Sequence, residues 1–267
     1  MNIFLTGGSS GIGKYLIKKL SKKHRIFTCN FKKKNNIRNR KIISHICDVS
    51  NENSVKELAT LFKKKKIKID IIINCAGIYG SIGKFNDLKF SEWKKAIEVN
   101  FFGTYLICKF FLKFMSKSKI KKIINFSGGG AFNPFPNYSA YACSKAAVVR
   151  LTETISYELK PKGIKVNCVA PGFVSTDIHK STIKSGSKIA GNKFYQETLK
   201  KIKYKQGTPL IKIYKCIEFL ISNKSNFLTG KTISVNFDPW NKKIFKKEIL
   251  KNLNSDALTM RRVNLIL

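Results

Sequence analysis

The sequence predicts an α/β protein: a doubly wound parallel sheet of about seven strands, helices on both faces, in a single domain. Three observations carry this. Short apolar runs alternate with amphipathic stretches as far as about residue 240, the pattern of strands connected by covering helices. One run, Asp70-Ile71-Ile72-Ile73-Asn74-Cys75, is almost continuously apolar, as strands buried on both faces are. The first run leads directly into clustered glycines that open a helix, Thr6-Gly7-Gly8-Ser9-Ser10-Gly11-Ile12-Gly13.

Taken in order, residues 2–6 read as the first strand, and Tyr15, Leu16 and Leu20 give helical spacing over 13–20. Residues 25–30 and 42–48 are the second and third strands. Ser54 and Glu57 match a capping box opening a helix that runs to about Lys64. Residues 70–75 supply the fourth strand, and a long helix covers about 91–115. The fifth strand spans 122–127, a helix 139–159, the sixth strand 165–170 and, after further helices, the seventh 231–235. One helix joins each strand to the next, so a single domain, 1–240, suffices. Residues 241–267 fall outside the alternation and read as a basic C-terminal tail.

Composition narrows the class. At 43% hydrophobic and 25% charged the chain is an ordinary globular sequence. Its best apolar stretch, 101–115, is broken by Lys109 and Lys113, short of the roughly 18 residues a membrane span needs. The opening Met1-Asn2-Ile3-Phe4-Leu5-Thr6 lacks the basic flank and cleavage site of a secretory signal, so the expectation is a cytoplasmic protein. Seven cysteines (Cys29, Cys47, Cys75, Cys108, Cys143, Cys168, Cys216) stand far apart without a C-x-x-C pair; they read as reduced, buried side chains, with no metal site. The formal net charge is +37. Only six of the basic residues are Arg (25, 38, 40, 150, 261, 262), and the lysines are dispersed. A nucleic-acid footprint is local and Arg-rich, so the charge reads as composition bias, although its field attracts phosphorylated ligands.

Two motifs carry chemistry. A glycine-rich turn between a strand and a helix lets a pyrophosphate approach backbone amides at a positive helix end. Tyr141 and Lys145 are spaced i, i+4 and share a helix face. A phenol is a poor base near neutrality, and a nearby ammonium favours its ionised form, easing proton exchange with a hydroxyl or carbonyl. Tyr138 has Ala142 four residues on and cannot form such a pair.

The glycine turn T-G-x-x-x-G-x-G, together with Asp48-Val49, Asn74-Cys75-Ala76-Gly77, Asn100, Tyr141-Ala142-Cys143-Ser144-Lys145 and Pro171-Gly172-Phe173-Val174-Ser175-Thr176, resembles the short-chain dehydrogenases/reductases, specifically their short single-domain branch. The similarity spans about residues 1–238. It implies a Rossmann-type fold and an NAD(P)-dependent oxidoreductase moving a hydride between nicotinamide and a carbonyl or secondary alcohol. The substrate expected is a small polar molecule, including sugar derivatives, and the chain is expected as a homodimer or homotetramer. By the resemblance Gly7, Ser9, Ser10, Gly11, Ile12 and Gly13 hold the pyrophosphate region. Asp48 and Val49 contact the adenine, and Asn74, Ala76 and Gly77 shape the adenosine wall. Pro171, Gly172, Val174 and Thr176 border the nicotinamide. Tyr141 is the general acid/base, Lys145 tunes it and binds the nicotinamide ribose, and Asn100 holds a water for proton relay. A narrower similarity, in the Ser-Gly-Gly-Gly run, the Asp238-Pro239-Trp240 end and the Arg261-Arg262 tail, is to reductases encoded among bacterial surface-polysaccharide genes.

The chain also departs from the family. The usual active-site serine stands 13 residues before the Tyr, where this sequence has Gly128; Ser127 is one residue earlier. Ser127 could swing in to orient the substrate, backbone amides could donate instead, or turnover could be lost, leaving a dinucleotide-binding sensor or interaction protein. Ser127 is the residue expected to act, and a serine restored at position 128 is expected to be tolerated. At the end of the second strand, where NAD-preferring members carry an acid, the chain reads Asn30-Phe31-Lys32-Lys33-Lys34. Without a carboxylate to repel a 2′-phosphate, Asn30 and Lys32 point to NADP(H), with NAD(H) as the alternative.

Overall fold

In the computed structural model residues 1–32, 39–115, 120–251 and 257–260 are described; Lys33, Lys34, Arg38 and the Arg261-Arg262 pair lie outside them. The elements are β1 (Asn2–Thr6), α1 (Gly11–Leu20), β2 (Arg25–Asn30), β3 (Ile42–Ile46), α2 (Glu52–Lys64), β4 (Ile71–Asn74), α3 (Phe90–Ile97), α4 (Gly103–Phe111), β5 (Lys122–Phe126), α5 (Ser139–Glu158), β6 (Lys165–Ala170), α6 (His179–Ala190), α7 (Asn192–Lys203), α8 (Leu210–Ile221), β7 (Thr232–Ser234) and α9 (Lys243–Lys251). All strands are parallel, in the order β3-β2-β1-β4-β5-β6-β7. The chain winds outward from β1 to β3, then returns to β4 on the other side of β1. The strand order therefore reverses between β1 and β4, and a crevice opens there at the carboxyl ends of the strands.

Alternation along buried strands builds two cores. Ile3 and Leu5 pack toward Leu16 and Ile17 of α1 and Ile217 of α8. Phe4, between them in sequence, faces the opposite side, stacking on Phe111 at 4.3 Å and meeting Phe62 edge-on. Burying such side chains contributes roughly 1.5–3 kcal/mol each.

Four local readings change. The capping box at Ser54 does not form: Asn51 caps α2 by accepting from the Ser54 amide at 3.0 Å, while the Ser54 hydroxyl accepts from the Asp48 amide. The 91–115 helix is interrupted by a π turn over Glu98–Phe102. The segment after β7 returns to the molecule, because Trp240, Phe245 and Ile249 are buried with Ile233 and Val235. Leu258 accepts from the Thr232 amide on the β7 edge at 2.8 Å, and Met260 is held by Arg150 and Glu153 of α5. Among the cysteines, Cys143 is exposed because it lies on the outer side of α5.

Candidate active site

A cavity of about 870 Å³ opens at the strand-order reversal. Thr6, at the end of β1, accepts from the amides of Cys75 and Ala76 at 3.1 Å each and ties the two sides of the crevice together. Gly7 follows with φ +75°, and any Cβ there would stand 2.7 Å from Ala76 Cα. Only glycine fits this turn. No side chain caps α1, and Ser9, Ser10, Gly11, Ile12 and Gly13 line the cavity. The first-turn amides are therefore open to an anion at the positive helix end.

At the far end lie Asn30, Asp48, Val49, Ala76 and Gly77. Asn30 is buried; its Nδ2 reaches Ser44 Oγ at 3.4 Å, and its Oδ1 has no partner among the described residues. Asp48 accepts from the amide and hydroxyl of Ser50 at 2.9 and 2.6 Å, with Lys95 Nζ at 3.9 Å. Two expected cofactor residues stand off the wall. Lys32 is exposed, its ammonium 5.7 Å from the centre of the Phe31 ring. Asn74 is turned into a buried chain, donating to Asn125 Oδ1 at 2.9 Å, while Asn125 donates to Thr152. The reason is strand alternation, which points Asn74 into the layer beneath α5 rather than into the crevice.

Between these ends the structure brings Tyr141, Lys145, Ser127 and Gly128 together on the wall, with Pro171, Gly172, Val174 and Thr176 opposite the glycine turn. Lys145 is buried, donates to the Phe126 carbonyl at 2.9 Å and lies 5.6 Å from the Tyr141 ring centre. Burial pushes the Lys145 ammonium down and the Tyr141 phenol well up, the latter aided by the Cys75 thiol. The expected lowering of the phenol by the ammonium is not expressed in this arrangement, because desolvation dominates and the ammonium is bound to a carbonyl.

The Tyr141 hydroxyl rests against Gly128, where a Cβ would overlap it. A serine at 128 cannot enter without moving the phenol, which corrects the expected tolerance of that substitution. Ser127 lines the cavity, yet its hydroxyl is buried with no partner among the described residues. Asn100 is wholly buried off the cavity, in the π turn. Its carboxamide accepts from the Ile78 amide and donates to the Ile78 carbonyl and to Ser144 Oγ, each within 2.9 Å. Both its donors are used, so the side chain braces the strap after β4.

Sequence reasoning missed the aromatic wall beyond Tyr141: Tyr79, Phe135, Phe173, His179 and Phe194. Tyr79 lies two residues beyond Gly77, and Phe173 stands inside the 171–176 motif, which is a usable signal. Phe135, His179 and Phe194 come from loops and helices whose placement has no local pattern.

The residues present fit a nicotinamide dinucleotide: the glycine cradle admits a backbone-hugging pyrophosphate, and Asn30, Asp48 and Val49 line the far end of the same cavity. A phosphate-receptive turn on one wall and a buried phenol–ammonium pair on the other suit hydride exchange at a carbonyl carbon, and the molecule is a nicotinamide-dependent oxidoreductase. Comparison with known proteins narrows this. The family model for short chain dehydrogenase matches residues 1–204, and the chain belongs to that family. It is 28% identical over 245 residues to glucose 1-dehydrogenase 2 of Bacillus subtilis (strain 168), covering 86% of this chain and 91% of that one. It is 30% identical over 239 residues to the 3-oxoacyl-[acyl-carrier-protein] reductase FabG of Buchnera aphidicola subsp. Acyrthosiphon pisum, covering 87% and 94%. Among solved structures, ElxO with NADP bound superposes with a TM-score of 0.73 at 29% identity, covering 88% of this chain and 96% of that one.

Proposed function

We propose that Tyr141 exchanges the proton with the substrate oxygen, that Lys145 holds the site's positive charge beneath it, and that Ser127 is the second donor to that oxygen. The observation that carries this is the phenol itself: it is buried on the cavity wall against Gly128, with the Lys145 ammonium on the same helix face. Burial keeps Tyr141 protonated near neutrality, so the residue stands ready to donate to a carbonyl oxygen as negative charge develops there. The bound dinucleotide supplies the hydride or accepts it. The buried Ser127 hydroxyl, without a partner among the described residues, supports its role, since such a group is costly unless it gains a partner. A hydroxyl that turns to a developing oxyanion gains its partner in the transition state.

At the pyrophosphate turn, Gly7 and the first-turn amides from Ser9 to Gly13 bind the diphosphate. Asn30, Asp48, Val49, Ala76 and Gly77 surround the adenosine, and Pro171, Gly172, Val174 and Thr176 border the nicotinamide. Asn74 and Asn100 act from behind the wall as braces. NADP(H) is the preferred cofactor, supported by the lack of a carboxylate at Asn30 and by the NADP described with ElxO. The protein works as a homo-oligomer, supported by exposed Phe102 of the π turn, Tyr105 of α4 and Tyr157 of α5. It acts in the cytoplasm and needs no nucleic acid, supported by the dispersed lysines and by the fact that no described helix is long and apolar enough to cross a membrane.

The experiment is NADPH consumption against a carbonyl panel, wild type beside Tyr141→Phe. Loss of the phenolic oxygen should lower turnover by about 100-fold or more while NADPH still binds. Near-normal turnover by Tyr141→Phe would sink the assignment.

A further inference from the structure

Beyond Tyr141 the cavity wall is built of rings. Tyr79 meets Tyr141 edge-on with centroids 4.8 Å apart, and Phe194 meets Phe135 edge-on at 4.9 Å. Beside them His179, in ring contact with both Tyr79 and Phe194, stacks on Phe173 at 4.1 Å. The polar side chains of this wall are engaged within the protein: Tyr79 Oη lies 3.2 Å from His179 Nδ1, and Ser181 Oγ donates to the Ile178 carbonyl at 2.7 Å. Burial pushes the imidazole down to about 4, so His179 is an uncharged ring near neutrality.

Charge is placed elsewhere. The charged side chains on the cavity wall are Asp48, Lys95, Lys145 and Asp177. Lys95 bonds Ser50 beside Asp48 at the adenosine end, Lys145 belongs to the reacting centre, and Asp177 pairs with Lys180 at 2.7 Å. Lys201 sits 5.0 Å over the Phe173 ring, outside the wall, and pairs with Glu197 at 3.5 Å. Among the described residues the wall beyond Tyr141 therefore offers no cation for a carboxylate or phosphate. Its hydrogen-bonding pair is already matched, which leaves little for the many hydroxyls of a sugar. Ring faces and edges instead favour a flat apolar body.

We propose that the substrate is an uncharged carbonyl compound, or the corresponding alcohol, with a flat apolar body that packs on Phe194 and Tyr79 and against the rim of Phe173 while its oxygen faces Tyr141. This rests on the function proposed above and makes Phe173, Phe194 and Tyr79 specificity-determining residues. It departs from the small polar substrate expected from the sequence, because the rings that decide it converge only in the fold.

The test uses the full-length protein with NADPH and three probes: acetophenone, 4-acetylbenzoate (the same body with one carboxylate) and, with NADP⁺, D-glucose. Turnover is read beside saturation-transfer NMR, which reports binding without chemistry. Acetophenone should exceed 4-acetylbenzoate by about 100-fold in kcat/KM, since the carboxylate is desolvated without a partner. Saturation should reach the acetophenone ring protons and scarcely those of the acid. Phe194→Ala should raise KM for acetophenone about ten-fold with kcat and NADPH binding little changed, and Phe194→Leu should restore part of it. Preference for the acid or for glucose, equal saturation of both aryl probes, or an unmoved KM in Phe194→Ala would overturn the proposal. Saturation of acetophenone without turnover of any probe would uphold this pocket reading and overturn the catalytic one.

Discussion

At the scale of single residues, one contact bears on the departure at positions 127 and 128. The phenol of Tyr141 occupies the space that a side chain at 128 would need. Gly128→Ser should therefore fold and bind NADPH, yet lose turnover by about ten-fold or more, because a phenol displaced by an ångström no longer meets the substrate oxygen. Steady-state kinetics beside a cofactor titration checks this, and unchanged kcat would show that the ring yields freely. The second residue that matters is Asn30. It is buried, lines the adenosine end of the cavity, and its Oδ1 has no partner among the described residues. Asn30→Asp places a carboxylate there, which repels a 2′-phosphate and welcomes ribose hydroxyls. NADPH affinity should drop by about ten-fold or more relative to NADH, because the new carboxylate meets the 2′-phosphate as a like charge. Calorimetric titration of both cofactors with both proteins would show it; an unchanged ratio would remove Asn30 from the specificity argument.

Among the elements, β5 carries the least expected side chain. Lys122 is fully buried at its start, donating at 2.6 Å to both the Ser222 carbonyl and Ser225 Oγ. These two bonds anchor β5 to the turn after α8. Burial pushes Lys122 down to about 8 from its usual 10.5. The unfolded chain then binds the proton more readily than the folded one between about pH 8 and 10.5. In that window stability rises with pH, and below pH 8 the full penalty is present. Lys122→Met removes the group and with it this increment. Chemical denaturation at pH 7.5 and 10 should show the wild type gaining on the variant at the higher pH; parallel behaviour would mean that the ammonium is well solvated. The π turn at Glu98–Phe102 is the other element whose form matters, since it sets Asn100 toward Ile78 and Ser144. Helical periodicity alone predicts an uninterrupted helix there, because the extra residue per turn is chosen by the tertiary bonds that Asn100 makes.

Over the whole molecule, the segment beyond residue 240 links the sheet edge to the core. Phe245 and Ile249 of α9 are buried, and Leu258 and Met260 return to β7 and α5. Truncation after Trp240 should cost about 3–6 kcal/mol from the two buried side chains alone and uncover the β7 edge to pairing with other chains. A lower Tm with concentration-dependent aggregation is the expected result. A truncated chain melting like the full one would make 241–267 the detached tail that its composition suggests. The formal charge of +37 belongs to this scale too: it acts through its summed field, so screening by salt should weaken cofactor association at exposed lysines while leaving the buried site chemistry unchanged.

The sequence by itself determined the parallel sheet, its glycine turn and the Tyr141/Lys145 pair. Each depends on neighbours a few residues apart: a strand running into a helix, or two side chains on one helical face. Residues that act at a distance were decided by the tertiary structure. Asn74 and Asn100 carry motif positions, yet strand pleat and π turn aim their amides into the protein as braces. Phe135, Phe173, His179 and Phe194 come from three separate segments and form one wall only because α6 and α7 pack over the crevice. The serine question was likewise out of reach of spacing, since what excludes a side chain at 128 is a ring thirteen residues along the chain and in contact through space.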